Sequence, residues 1–283
     1  MSARSQRHEH FVDASELGEL LHGSRSPVVL DVRNENGVLD GRPEYAAGHI
    51  PNAVYVDLPS ELVGRRHDRS GAGPLPDVTY LQSRARAWGI SNGDSVVVYD
   101  NVFGTKASRA WLVLRWAGIV DVRILNGGYA AWLEGGYEVS AEEPRVVPGD
   151  VHLSPNQLPV LDADGAAALA RDGVLLDARG GEQFRGSSVD GRRTGGHIPG
   201  AVSAPTSDNL DERGLLLDEG PLRRRFETLG ADGSQPIGVY CGSGVAAAHE
   251  LAVLGSLGLV ASIYVGSFTA WSSDPARPVT TGP

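Results

Sequence analysis

The feature that most constrains this 283-residue chain is a series of motifs that occurs twice, in the same order. Val28-Val29-Leu30-Asp31-Val32-Arg33 returns as Val174-Leu175-Leu176-Asp177-Ala178-Arg179, and Gly48-His49-Ile50-Pro51-Asn52-Ala53-Val54 returns as Gly196-His197-Ile198-Pro199-Gly200-Ala201-Val202. Val97-Val98-Tyr99-Asp100 then pairs with Gly238-Val239-Tyr240-Cys241, and Asn126-Gly127-Gly128-Tyr129-Ala130-Ala131-Trp132 with Val265-Gly266-Ser267-Phe268-Thr269-Ala270-Trp271. The offset is 146 residues from Asp31 to Asp177, 148 from His49 to His197, 141 from Asp100 to Cys241 and 139 from Trp132 to Trp271. A self-match that keeps its order through small insertions is a tandem duplication, so the chain must fold as two copies of one unit.

Within each copy, short apolar runs bounded by Gly, Asp or Asn predict buried parallel strands at 28–32, 96–99 and 122–125, then at 174–178, 237–240 and 262–265. Apolar residues at helical spacing over Ser108–Ala117 and Val245–Leu257 fall between strands and give βαβ crossovers, hence an α/β fold with a parallel sheet flanked by helices in each copy. Glu138–Pro159 holds Pro144, Pro148, Pro155 and Pro159, too many for a helix, and reads as a linker over the surface. The expected domains are therefore 10–140 and 158–280, divided near residue 150. The turn-rich tail Trp271–Val279 either folds back toward a site or ends the domain.

Charge narrows the partners. A net charge of −10 without a basic stripe argues against nucleic acid. Gly244–Gly266 is interrupted by His249, Glu250 and glycines, short of the roughly 20 apolar residues that a membrane span needs. Met1–Phe11 is polar and lacks the apolar stretch of a secretion signal, so a cytoplasmic location is expected.

Cys241 is the single cysteine, which excludes an intrachain disulfide and any cysteine-based metal cluster. It closes a predicted strand, where ligand sites of open α/β sheets lie. The following Gly242-Ser243-Gly244 can turn successive backbone N–H groups inward as an anion nest ahead of a helix starting near Val245. Such donors favour a thiolate nucleophile and would also cradle a persulfide anion. The competing reading is a small buried hydrophobe, the ordinary fate of a free cysteine.

The paired Asp-x-Arg and Gly-His-Ile-Pro motifs, closed in the second copy alone by Cys241-Gly242-Ser243-Gly244-Val245-Ala246, resemble the two-domain rhodanese family of thiosulfate and 3-mercaptopyruvate sulfurtransferases. The resemblance spans nearly the whole chain and implies two rhodanese-like domains. The first would be catalytically silent, with Asp100 in place of cysteine, where it could equally serve as a helix N-cap. Mercaptopyruvate-type members carry Cys-Gly-Ser-Gly-Val-Thr, whereas this chain has Ala246 at the sixth position, which leaves the donor open between mercaptopyruvate and thiosulfate. The resemblance assigns Cys241 as nucleophile and Ser243, His49 and Asp40 as its catalytic companions. Gly242, Gly244, Val245 and Ala246 would line the substrate loop, and Arg185 with Arg192 or Arg193 would clamp the donor carboxylate. For His49 the alternative is a turn-stabilising role, since its motif recurs at His197; for the arginines it is surface solvation.

The implied reaction is sulfur transfer through a Cys241 persulfide to cyanide, a small thiol or a reduced thioredoxin-like protein, with no metal and no organic cofactor. The remaining histidines, His8, His10, His22, His67, His152 and His249, are scattered and expected to be exposed. A cysteine phosphatase is disfavoured because no lysine or arginine stands in 242–250 to hold a phosphate dianion. A non-enzymatic persulfide carrier or redox sensor would use the same cysteine and stays open.

Overall fold

The computed structural model of the chain describes residues 6–33, 40–189 and 192–283, with the side chains of 187–194 outside that description. The strands are β1 (Phe11–Val12), β2 (Val28–Asp31), β3 (Val54–Tyr55), β4 (Val96–Tyr99), β5 (Val122–Leu125), β6 (Val174–Asp177), β7 (Ser187–Val189), β8 (Arg192–Thr194), β9 (Val202–Ser203), β10 (Ile237–Tyr240) and β11 (Ala261–Ile263). One sheet has the order β1-β5-β4-β2-β3 and a second the order β11-β10-β6-β9, every pairing parallel. β7 and β8 form a separate antiparallel hairpin.

The six predicted strands are the centres of the two sheets, as their composition requires. Val96-Val97-Val98-Tyr99 is buried on both faces, which only a strand covered by helices on both sides can sustain. The crossover helices follow suit: in Ala107–Trp116 every residue but Arg115 is buried, and in Ala246–Ser256 all but two are. A helix apolar around its whole girth belongs in a core. Both copies add an edge that the periodicity did not reveal. β1 lies beside β5, and Pro159–Leu161 exchanges backbone hydrogen bonds with Ile263 in the corresponding place.

By contacts the chain forms two units, Met1–Gly64 with Leu75–Leu158 and Glu212–Leu216, and Arg65–Pro74 with Pro159–Asp211 and Leu217–Pro283. The main change of unit comes after Leu158, and two short segments depart from a single cut. The physical reason is backbone contact. Gly73 lies so close to the Ser243 carbonyl that an added Cβ would stand 2.3 Å from its oxygen, and Gly71, at φ +77°, lies as close to the Gly266 carbonyl. Contacts of this kind leave no hydrophobic period to read.

The proline-rich linker lies along the first unit, where Gly149 N–H donates to Arg86 and Ser154 N–H to Ala117. The C-terminal tail folds back: Trp271 Nε1 donates to Pro278, His197 and Thr280 exchange backbone bonds, and Gly282 N–H donates to Arg185. Among the described residues no helix is long and apolar enough to cross a membrane.

Candidate active site

Each copy is pinned at the mouth of its sheet by the same buried pair. Asp177 ends β6, and Arg179 turns back to grip its carboxylate through Nε (2.9 Å) and Nη2 (2.5 Å), while Nη2 also donates to the Gly196 carbonyl (2.6 Å). The guanidinium lies 4.1 Å from the centre of the Phe268 ring. Asp31 and Arg33 repeat this in the first unit, with Gly48 and Tyr129 as the other partners. Arg179 is therefore committed to holding the loops around β6 and β10 together.

Cys241 follows β10 and is 2% exposed. Its Sγ accepts the Gly244 N–H at 3.1 Å, in a turn made by the positive φ (+78°) of Gly244. The helix Ala246–Ser256 begins directly beyond, so the N–H groups of Ala246 and Ala247, ahead of the Ala248 N–H that donates to the Val245 carbonyl at 3.0 Å, add positive potential at the loop. The Cys241 carbonyl accepts from Phe268 N–H (2.8 Å), and the Gly242 carbonyl from both Thr269 N–H (3.2 Å) and Thr269 Oγ1 (2.9 Å).

The first copy reveals what this loop geometry is for. Asp100 occupies the cysteine's position, fully buried, and its carboxylate accepts four backbone N–H groups, from Val102 (2.9 Å), Gly104 (2.8 Å), Lys106 (2.6 Å) and Ala107 (2.8 Å). Burial nonetheless pushes its carboxyl above the ordinary range, with the four amides opposing that shift. The loop gathers amides on one anionic group, and here it caps the helix Ala107–Trp116 as well. In the second copy two fewer residues separate the strand-end residue from its helix, and the group presented is sulfur.

The remaining expected companions are distributed unevenly. Ser243 is half-buried, and among the described residues its hydroxyl has no hydrogen-bond partner. Val245 and Ala246 take up the helix entry. A cavity of about 380 Å³ beside the loop is lined by Arg179, Glu182, Gln183, Gly195, Gly242, Phe268 and Thr269. Arg185 is exposed at the end of the helix Gly181–Arg185, turned back over Gly181 and outside that lining. The side chains of Arg192 and Arg193 lie outside the described residues, on strand β8.

His49 and Asp40 each have local partners. The His49 ring is fully buried, stacked on Tyr45 at 3.9 Å, with Nδ1 facing the Tyr45 carbonyl (2.8 Å) and Nε2 the Glu142 carbonyl (3.2 Å). Both nitrogens thus face backbone oxygens. His197 repeats the arrangement on Phe184, ring centres 3.8 Å apart with Nδ1 at the Phe184 carbonyl. Asp40 is exposed and accepts the Arg42 N–H locally at 3.0 Å. Of the histidines expected at the surface, His249 is instead buried and His10 half-buried.

Two contributors escaped the sequence. Ser267 Oγ accepts the Cys241 N–H (3.2 Å), donates to the Tyr264 carbonyl (2.9 Å) and stands 4.0 Å from Sγ. It holds a left-handed φ of +56° in the place where the first copy has Gly128, and that glycine-to-serine difference was the available signal. The other is the strap 65–74, whose Ala72 N–H donates to Thr269 Oγ1 at 2.9 Å.

A family model described as rhodanese-like domain matches residues 13–135 and again 162–274. The chain belongs to the rhodanese-like family. It is similar, at 39% identity across 100% of this chain and 99% of the other, to SseB of Mycobacterium tuberculosis, provisionally named a thiosulfate sulfurtransferase. It is also 39% identical, over 86% of this chain and 87% of the relative, to a Pseudomonas aeruginosa protein provisionally named 3-mercaptopyruvate sulfurtransferase. Among solved structures, the 3-mercaptopyruvate sulfurtransferase from Leishmania major superposes with a TM-score of 0.81 at 27% identity, covering 94% of this chain and 74% of that one. The tandem rhodanese-like architecture read from the repeat is thus that of a sulfurtransferase family.

Proposed function

We propose that this sulfurtransferase takes a sulfane sulfur from 3-mercaptopyruvate or thiosulfate onto Cys241 and passes it, as a persulfide, to cyanide, a small thiol or a reduced thioredoxin-like protein. The observation that carries the reading is the Gly244 N–H on Cys241 Sγ at 3.1 Å, in a loop whose first-copy counterpart collects four amides on a carboxylate. A site that stabilises negative charge on the thiolate does the same for the persulfide that replaces it.

With mercaptopyruvate, the thiolate attacks the outer sulfur, a sulfur–sulfur bond forms and the carbon–sulfur bond breaks. The electron pair goes to carbon, which takes up a proton to give pyruvate. In this reading the Ser243 hydroxyl, which has no hydrogen-bond partner among the described residues, delivers that proton. With thiosulfate, the sulfur–sulfur bond of the donor breaks and sulfite leaves with the electron pair. Cyanide then attacks the terminal sulfur of the persulfide, forming thiocyanate and restoring the thiolate. The first unit acts as a silent partner, because Asp100 fills its own nest and offers no sulfur nucleophile.

The test is steady-state thiocyanate formation with each donor in parallel, with Cys241→Ser as the blank. Repeated turnover with at least one donor and none in the blank supports the enzyme. One sulfur accepted per chain without turnover would mark a carrier instead.

A further inference from the structure

The catalytic loop lacks a free cation. No lysine or arginine stands between 242 and 250, and Arg179 is spent on Asp177 and Gly196. Both donors considered above are anions. The strap 65–74 brings what the loop does not have. It carries Arg65, Arg66 and Arg69 at the surface of a chain whose net charge is −10.

The strap's position is fixed by four contacts. Gly73 packs on the Ser243 carbonyl, and Gly71 on the Gly266 carbonyl. Ala72 N–H reaches Thr269 Oγ1, which itself bonds the Gly242 carbonyl. Arg69 is anchored to Asp274 at 3.4 Å. Arg66 folds back along the strap, its Nε donating to the Ala72 carbonyl at 2.8 Å. Its guanidinium is thereby held over the residue that touches Thr269, with no carboxylate partner among the described residues, and Arg65 stands exposed beside it. The nearby acids are accounted for: Asp274 is engaged by Arg69, while Asp68 within the strap and Glu182 in the cavity lining offset part of the positive charge.

The repeat supplies an internal control. The segment Glu212–Leu216 packs with the Asp100 unit as Arg65–Pro74 does with the Cys241 unit, Leu215 lying against Gly127 and Leu216 N–H bonding Asn126 Oδ1. That segment holds a single arginine, Arg213, tied to Glu134 at 2.7 Å. Of the two segments, the one beside the cysteine carries arginines without a carboxylate partner among the described residues, whereas the arginine of the other is paired.

We propose that the strap is an anion-gathering element of the Cys241 site, with Arg66, seconded by Arg65, drawing the negatively charged end of the sulfur donor to the loop. The proposal rests on the donor chemistry above, and the probe that tests it does not depend on turnover. Iodoacetate and iodoacetamide alkylate the same thiol but differ by one negative charge, so the ratio of their rates at Cys241 reports the local potential.

In the 283-residue chain at low ionic strength, Arg66→Gln lowers the iodoacetate rate about threefold and leaves the iodoacetamide rate unchanged. The double variant with Arg65→Gln lowers it further, Arg66→Lys restores most of the ratio, and high salt erases the difference. Arg223→Gln, on the helix Glu219–Thr228, where the arginine bonds Glu219 and the Leu257 carbonyl, leaves the ratio alone. An unchanged ratio in Arg66→Gln would overturn the proposal. So would an equal fall in both rates, which would mean that the strap merely supports the loop. A wild-type protein inactive with both donors but showing the predicted ratio would refute the sulfur-transfer reading and spare the anion site.

Discussion

At the scale of single residues, the contrast between the two copies is sharpest around the strand-end group. Asp100 saturates four amides and sits beside a glycine, whereas Cys241 receives one at Sγ and sits beside Ser267. A non-glycine residue at φ +56° is strained, and such strain persists where surrounding structure holds it for a purpose. Ser267→Gly relieves the backbone while removing the hydroxyl that holds the Cys241 N–H. The expected result is unchanged or slightly raised urea stability, by up to about 1 kcal/mol, with sulfur transfer slowed roughly tenfold, as befits a lost hydrogen bond next to a charged group. Loss of stability with full activity would make Ser267 a packing residue only.

At the scale of elements, the central strands and crossover helices were legible because each is an apolar run or stripe with its own period. The loop after β10 was legible because Cys241 and two glycines mark it. What the sequence concealed shares one physical character: it is made by backbone contact or by conformation. The strap 65–74 joins the second unit through glycines pressed on carbonyl oxygens, and Ser267 is distinguished by its φ angle. The setting of His49 was not legible, because a histidine in a turn looks the same in sequence whether its nitrogens face substrate or, as here, the Tyr45 and Glu142 carbonyls. Its recurrence at His197 favoured the structural role. Gly73→Ala tests the strap directly, since the new Cβ would stand 2.3 Å from the Ser243 oxygen. We expect a loss of about 1–3 kcal/mol in urea unfolding, together with slower sulfur transfer as the loop shifts. Wild-type stability and rate in this variant would show that strap and loop are not in contact.

At the scale of the whole molecule, each unit encloses one histidine whose burial lowers its pKa to about 4, His10 with help from Arg115 and His249 by burial alone. Because these values lie below the ordinary 6.5, the unfolded chain binds the proton first as pH falls. The stability each histidine contributes is complete above pH 6.5 and is lost toward pH 4, on the order of 1 kcal/mol per pH unit for each. Glu250, raised by burial beside His249, titrates in the opposite sense, so the comparison to make is wild type against His249→Gln. The urea midpoint of the wild type should fall more steeply than that of the variant between pH 6.5 and 4.5. Parallel curves would remove His249 from the acid response.

Every step of the proposed transfer passes through Cys241. The most direct measurement is the intact mass of the protein after brief exposure to 3-mercaptopyruvate or thiosulfate, before and after addition of cyanide, in the wild type and in Cys241→Ser. A gain of one sulfur atom in the wild type alone, removed by cyanide with an equal amount of thiocyanate formed, is the predicted result. Thiocyanate formation without a sulfur adduct, or an adduct that persists in Cys241→Ser, would contradict it.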